Sequence, residues 1–206
     1  MARDLSSIVK QSRRESYALH PKAHKVLVKR VGPPGQQGTQ TYRRTKSSQY
    51  GLQLREKQKV KRLYGLLEKQ FANLLEEAVR RKGQSGTMLL EFLERRLDNV
   101  IYRSGLAVSR RAARQLVTHG HFMLNGRRVD IPSIRVKVGD KITLHAHAKK
   151  NEYFKHLDEL SPPAPSTPTW IKVDRKQVQL SVNGLPSRDD AESDIKEQLI
   201  IEYYSR

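Results

Sequence analysis

Residues 109–140, SRRAARQLVTHGHFMLNGRRVDIPSIRVKVGD, decide how this chain is read. Ser109 suits the N-cap of a short helix, because its hydroxyl can accept a hydrogen bond from an otherwise orphaned backbone N–H. Ala112, Ala113, Leu116 and Val117 then fall on one stripe at helical spacing. Arg110, Arg111 and Arg114 fall off that stripe, with Arg110 and Arg114 one turn apart. His119-Gly120 ends the helix, glycine being the usual residue just past a helix end. Residues 121–124 read as a strand. Asn125-Gly126 reads as a two-residue type I′ turn, which needs positive φ at both central positions. Arg127 and Arg128 open the returning strand. The pattern predicts a rigid helix plus hairpin that displays five arginines and two histidines within about twenty residues. Such a display suits the sugar-phosphate backbone of a folded RNA.

Charge over the whole chain points the same way. The 206 residues carry a net charge of +19, unevenly spread. Residues 1–62 hold 16 Lys and Arg against 3 Asp and Glu, residues 63–150 hold 17 against 8, and residues 151–206 hold 7 against 10. The basic surface is therefore expected at the N-terminus and in the middle, facing a polyanion. No apolar run reaches membrane length, and the mean hydropathy is −0.72. No signal-peptide apolar region follows Met1. With no cysteine, disulfides and thiolate metal sites are excluded.

Four stretches follow from composition and periodicity. Residues 1–48 are basic, poor in large apolar residues and interrupted by VGPPGQQGTQ, so short helical turns and extended segments that order on RNA are expected there. Residues 49–82 read as one long helical region, with Leu63, Leu66, Leu67, Phe71, Leu74, Leu75 and Ala78 at three- and four-residue steps. Gly83 to Gly86 breaks it. MLLEFLERRLDNVIYRSG (88–105) predicts a single helix with Arg95, Arg96 and Arg103 pointing outward, and VKVGDKITLH predicts a turn and a further strand. In residues 149–206, AKKNEYFKHLDEL reads as helical, SPPAPSTPT as a Pro-rich loop, and WIKVD and VQLSVNG as two strands. SDIKEQLIIEYYSR is ambiguous between strand and helix. Helix is favoured, with Ser193 as its N-cap.

LERRLDNVIYRSGLAVSRRAARQLVTHGHFMLNGRRVDIPS resembles the S-four RNA-binding module of ribosomal proteins. PPGQQG (33–38), QYGLQLREKQKVKRLYGLLEKQF (49–71), PTWIKVD (168–174) and EQLIIEYYSR (197–206) resemble the bacterial-type small-subunit ribosomal S-four family, in that order and across nearly the whole chain. The resemblance implies an α+β protein with a basic N-terminal extension (1–48), a helical domain (49–87, on which 185–206 packs back) and an inserted RNA-binding domain (88–184) whose helices pack on a small, mostly antiparallel sheet. It implies a structural protein, not an enzyme, that binds small-subunit ribosomal RNA at a multihelix junction of the 5′ domain and nucleates assembly. It also implies neighbouring small-subunit proteins as partners, contact with messenger RNA where it enters the ribosome, an influence on decoding accuracy, and a cytoplasmic location. Many relatives bind zinc through cysteines in the N-terminal extension. The aligned positions here are Val9, Ser12 and Ala23, so this is a cysteine-free variant and neither metal nor cofactor is expected.

The candidate ribosomal RNA contacts are Arg13, Arg14, Arg30, Gln36, Tyr50, Arg55, Lys57, Lys59, Arg62, Arg96, Arg103, Arg110, Arg111, Arg114, His119, His121, Asn125, Arg127 and Arg128. Arg43, Arg44 and Lys46 are the candidate messenger contacts. His20 and His24 stand at i, i+4 but lack further ligands in sequence, so they read as surface or RNA-contacting residues, and His145 and His147 alternate on a strand-like stretch, so they read as surface residues rather than ligands. No G-x-x-x-x-G-K-[ST] loop is present. Two rival functions remain. A free-standing RNA-binding regulator or chaperone would need only the central module. An RNA-modifying enzyme would need a catalytic domain for which no segment is left over.

Overall fold

The computed structural model describes residues 4–30, 32–35, 48–163 and 167–205. Among these residues the chain forms ten α-helices and one five-stranded antiparallel sheet, an α+β architecture. It divides into two compact units, residues 1–89 with 194–206, and residues 90–193, so that 185–193 cluster with the second.

The first unit is helical. Its N-terminal segment is more ordered than its composition suggests. α1 (Ile8–Glu15) and α2 (Pro21–Lys29) are joined by a turn through Ser16 at φ 49°. The fully buried Ser12 hydroxyl knits that turn, donating to the Ile8 carbonyl at 2.8 Å and accepting from the Leu19 N–H at 3.3 Å. His20 is used as a cap: its Nδ1 accepts from the Lys22 N–H at 3.1 Å, and Pro21 opens the helix, where a missing N–H costs nothing.

Residues 49–82 form two helices rather than one. α3 (Gln49–Leu63) closes where Gly65 adopts φ 65° and the Leu66 N–H reaches back to the Lys61 carbonyl at 2.9 Å, a Schellman-type end. α4 (Glu68–Arg80) follows. The apolar period runs on through the break, so Leu63, Leu66, Phe71, Leu75 and Ala78 are all buried. α5 (Ser85–Glu94) starts with Gly86 already inside it.

The ambiguous C-terminal segment is helical, α10 (Glu197–Tyr204), capped by Lys196 rather than Ser193. It docks on α3 with Ile200 fully buried, the Gln53 amide donating to Glu202 at 2.8 Å, and the Lys196 N–H donating to Glu56 at 2.9 Å.

In the second unit the segment expected as one helix is split into the end of α5 and α6 (Leu97–Arg103). The backbone at the break bonds to the loop that follows the hairpin. Leu97 N–H donates to Ile134 O at 2.8 Å, Asp98 N–H to Pro132 O at 3.2 Å, and Val136 N–H to Arg95 O at 2.9 Å. α7 (Arg110–Thr118) precedes β1 (Phe122–Leu124) and β2 (Arg127–Val129). β3 (Lys141–Leu144), β4 (Ile171–Asp174) and β5 (Gln179–Val182) complete a sheet of order β2-β1-β3-β5-β4. Phe122, Ile142, Leu144, Ile171, Leu180 and Val182 meet Val100, Ile101, Ala113 and Val117 in one core. α8 (Glu152–Lys155) and α9 (Leu157–Leu160) add Phe154 and Leu157 to it.

Glu68 ties α3, α4 and α10 together, accepting from Lys57 at 2.6 Å, Lys61 at 2.8 Å and the Tyr204 hydroxyl at 2.7 Å. Partial burial opposes ionisation of Glu68, but these three donors outweigh it and hold the carboxyl at about 2. Its folded value lies below its ordinary value of 4.5, so the stabilisation is complete above about pH 4.5 and is lost as pH falls toward 2. Urea midpoints for the protein and for Glu68→Gln should therefore differ at neutral pH and converge as the solution is acidified. A difference that stays constant down to pH ~2 would contradict this role.

Candidate nucleic-acid interface

The helix–hairpin forms largely as its local sequence dictates. The Ser109 hydroxyl accepts from the Ala112 N–H at 3.2 Å, and Ala113 and Val117 are fully buried under α7. Asn125 and Gly126 have φ of 50° and 80°, the signs a type I′ turn needs, and Leu124 pairs with Arg127. Asn125 also locks the hairpin to β3. Its amide donates to Asp140 at 2.8 Å, and its side-chain oxygen accepts from the Lys141 N–H at 2.9 Å. Gly120, at φ 68°, lets Arg128 lie against the end of α7, since a Cβ there would come within 2.6 Å of Arg128 Nε. Arg111, His119, Asn125, Arg127 and Arg128 are exposed, and His121 is partly exposed.

Four arginines expected on the outside are instead tied into the unit by acids. Arg96 is 4% exposed and grips Asp98 with both Nε (3.1 Å) and Nη2 (2.8 Å). Arg114 is 8% exposed, with Nη1 3.7 Å from the same carboxylate. Arg103 donates to the fully buried Glu94 at 3.1 and 2.9 Å. Arg110 donates to Asn99 at 2.9 Å and to Glu192 at 3.0 Å, while its guanidinium lies 4.5 Å from the centre of the Tyr102 ring. Asn99 joins the two clusters by donating to Glu94 at 2.7 Å and from its backbone N–H to Asp98 at 2.9 Å. Arg95, also expected outward, is half-buried and pairs with Glu91 at 2.8 Å. Burying a cation costs several kcal/mol unless an anion accompanies it, and here Glu91, Glu94 and Asp98 at the helix break and Glu192 farther along the chain supply the anions.

The first unit repeats the pattern. Lys57 is buried on Glu68 and lies 4.6 Å from the centre of the Tyr203 ring. Arg55 and Arg62 share the Glu15 carboxylate. Burial pushes that carboxyl above its ordinary value, against the pull of Arg55, Arg62 and Arg14. Lys59 donates to the Asp194 carbonyl at 2.7 Å and pairs with Glu56 at 2.8 Å. Arg13 donates to the Gly32 and Pro33 carbonyls, each at 3.0 Å. Arg14, Arg30 and Tyr50 are exposed, the Tyr50 ring 5.6 Å from that of Tyr203. Gln36, Arg43, Arg44 and Lys46 lie outside the described residues.

One feature of the second unit is missed by reading along the chain. His145 and His147 come to the end of β1, with the His145 N–H donating to the His121 carbonyl at 2.8 Å. The alternation His-Ala-His directly after β3 is the only sequence signal for it.

The family described as "Ribosomal protein S4/S9 N-terminal domain" matches residues 3–94, and the "S4 domain" matches residues 95–142. The chain is 49% identical over 212 aligned residues to the "Small ribosomal subunit protein uS4" of Herpetosiphon aurantiacus, with both chains covered completely. It belongs to the ribosomal protein S4 family. Proteins of the same description from Clostridioides difficile and Chloroflexus aurantiacus are 49% and 48% identical, again over the full length of both chains. The boundary between the two matched regions falls at the break between α5 and α6, and the S4 domain contains α6, α7 and the hairpin.

Cations of the two kinds should respond differently to truncation. Arg96→Ala leaves Asp98 buried without its bidentate partner and should lower the unfolding free energy by about 3–5 kcal/mol. Arg111→Ala should change it by no more than about 0.5 kcal/mol. Urea unfolding of both variants checks the contrast, and equal effects would contradict it.

Proposed function

We propose that the exposed cations of α7 and the hairpin grip ribosomal RNA at a multihelix junction in the 5′ domain of the small subunit, and that binding there nucleates assembly. The chain belongs to a family of structural, non-enzymatic ribosomal proteins, and ribosomal RNA and neighbouring small-subunit proteins are its partners. The observation that carries the finer reading is the exposure of Arg111, Arg127 and Arg128 on a scaffold in which acids brace Arg96, Arg103, Arg110 and Arg114.

A braced scaffold presents cations at fixed positions, so it reads the shape of an RNA junction through phosphate and 2′-hydroxyl contacts rather than base edges. Release of condensed counterions supplies much of the affinity. Bound this way, the protein holds together RNA helices that would otherwise repel one another. Its place is then in the cytoplasm with the ribosome. No helix among the described residues is long and apolar enough to cross a membrane.

Each phosphate contact contributes about 0.7–0.9 to the slope of log affinity against log salt. Arg111→Ala with Arg127→Ala should therefore weaken binding to small-subunit ribosomal RNA and flatten that slope by about 1.4–1.8. Unchanged affinity and slope would overturn the reading.

The same proposal assigns Arg43, Arg44 and Lys46 to messenger RNA as it enters the ribosome, with influence on decoding accuracy. The support is their place between PPGQQG and QYGLQLREKQ, where the family carries basic residues. Tyr42 beside them can stack on an unpaired base, a contact worth about 1–3 kcal/mol. Neutralising all three cations should leave reconstitution of the subunit nearly normal but slow translation through structured messengers. Defective assembly with normal passage of structured messengers would assign these cations to ribosomal RNA instead.

A further inference from the structure

His145 and His147 take no part in the core, yet the fold carries them to the RNA-facing end of the sheet. Leu144 pairs with Phe122, and at the next position His145 donates its N–H to the His121 carbonyl, which sets the two histidines opposite each other across β1 and β3. His147 stacks on His145, with ring centres 5.5 Å apart and planes 23° from parallel. His119 meets His121 edge-on at 5.8 Å. Arg128 reaches the same corner and donates through Nε to the Gly120 carbonyl at 3.2 Å.

The surroundings of these rings are neutral or cationic. Phe154 of α8 lies edge-on to His121 at 5.7 Å, and the Gln115 amide of α7 is 3.4 Å from His119 Nε2. Lys149 and Lys150 are exposed on the turn after His147. Among the described residues, no carboxylate lies within ion-pair distance of any of the four rings. Partial burial of His121, reinforced by His119 and Arg128, lowers its imidazole below the ordinary value. Burial and cationic neighbours thus hold His121 short of its full positive charge.

We infer that this corner is a proton-linked phosphate site: an RNA backbone phosphate docks between the two histidine pairs beside Arg128, and the imidazoles take up protons from solvent as it binds. A phosphate offsets the burial and the cationic neighbours that lower the His121 imidazole, and an imidazolium donates to it through a charge-assisted hydrogen bond. Protonation favoured in the bound state means that affinity rises as pH falls through the ordinary histidine range, near 6.5, and is lost as pH rises through it. The inference rests on the proposal that the α7–hairpin face meets RNA, and it adds His145 and His147 to that face.

The test uses the full chain and small-subunit ribosomal RNA. Affinity is measured at about pH 6 and about pH 8, and proton uptake by calorimetry in buffers of unlike ionisation enthalpy. The wild type should bind about tenfold tighter at the lower pH, with uptake of about one proton. H145Q/H147Q should lose most of both effects. H145K/H147K, which carries its charge at either pH, should bind at the higher pH about as tightly as the wild type does at the lower. No proton uptake by the wild type, an unaltered pH dependence in H145Q/H147Q, or no gain at the higher pH in H145K/H147K overturns the inference. R111A/R127A separates it from the broader reading. A flattened salt slope in that variant without proton uptake by the wild type defeats only the phosphate site, whereas an unaltered slope defeats the RNA-facing assignment itself.

Discussion

The carboxylates of Glu94 and Asp98, buried at the break between α5 and α6, are what the arginine-rich unit depends on. Arg96, Arg103, Arg110 and Arg114 fall within nineteen residues of one another, and two buried acids with Asn99 between them engage all four. Without those acids the same cations would repel one another, and the buried ones would bear their full desolvation cost. With them, α6 and α7 are held in one arrangement. On the proposed function, the exposed Arg111, Arg127 and Arg128 meet RNA from a support that does not have to order on binding, which reduces the entropy lost.

The helical unit applies the same economy. Glu15 and Glu68 each collect two cations from α3, and the Glu68 site also takes the hydroxyl of Tyr204, so the C-terminal helix is fastened through a charge cluster as well as through Ile200. A chain with 40 Lys and Arg against 21 Asp and Glu has few acids to spend, and several of them are committed to interior pairs. The surface is left correspondingly basic, which attracts a polyanion over long range and makes its binding salt-dependent.

Local chemistry made much of this legible. Ser109, Gly120 and Asn125-Gly126 each impose a backbone geometry within a few residues, and the helix and hairpin follow where they stand. The strands β3 to β5 and the charge asymmetry are equally local signals. What could not be read is tertiary. The break at Arg95 and Arg96 exists because residues 132–136 supply hydrogen bonds from the far side of the hairpin, and no periodicity in 88–105 records that. Arg96 and Arg111 look alike in sequence. The bend that turns Asp98 back onto Arg96 buries one, while the other stays exposed. His145 joins His121 through strand pairing between residues far apart in the chain. The extent of α1 and α2, where only short helical turns were legible, was obscured for a different reason: their order comes from the Ser12 hydroxyl and the His20 cap rather than from a run of apolar residues.

The central claim is that the cations form two populations, struts held by buried acids and contacts kept for RNA. It is tested most directly by mapping arginine and lysine reactivity toward group-specific reagents, residue by residue, in the free protein and in its complex with small-subunit ribosomal RNA. Arg96, Arg114 and Lys57 should be unreactive in both states, while Arg111, Arg127 and Arg128 should react freely in the isolated protein and become protected in the complex. Ready modification of Arg96 or Arg114 in the free protein, or no protection of the α7 and hairpin arginines on RNA, would contradict it.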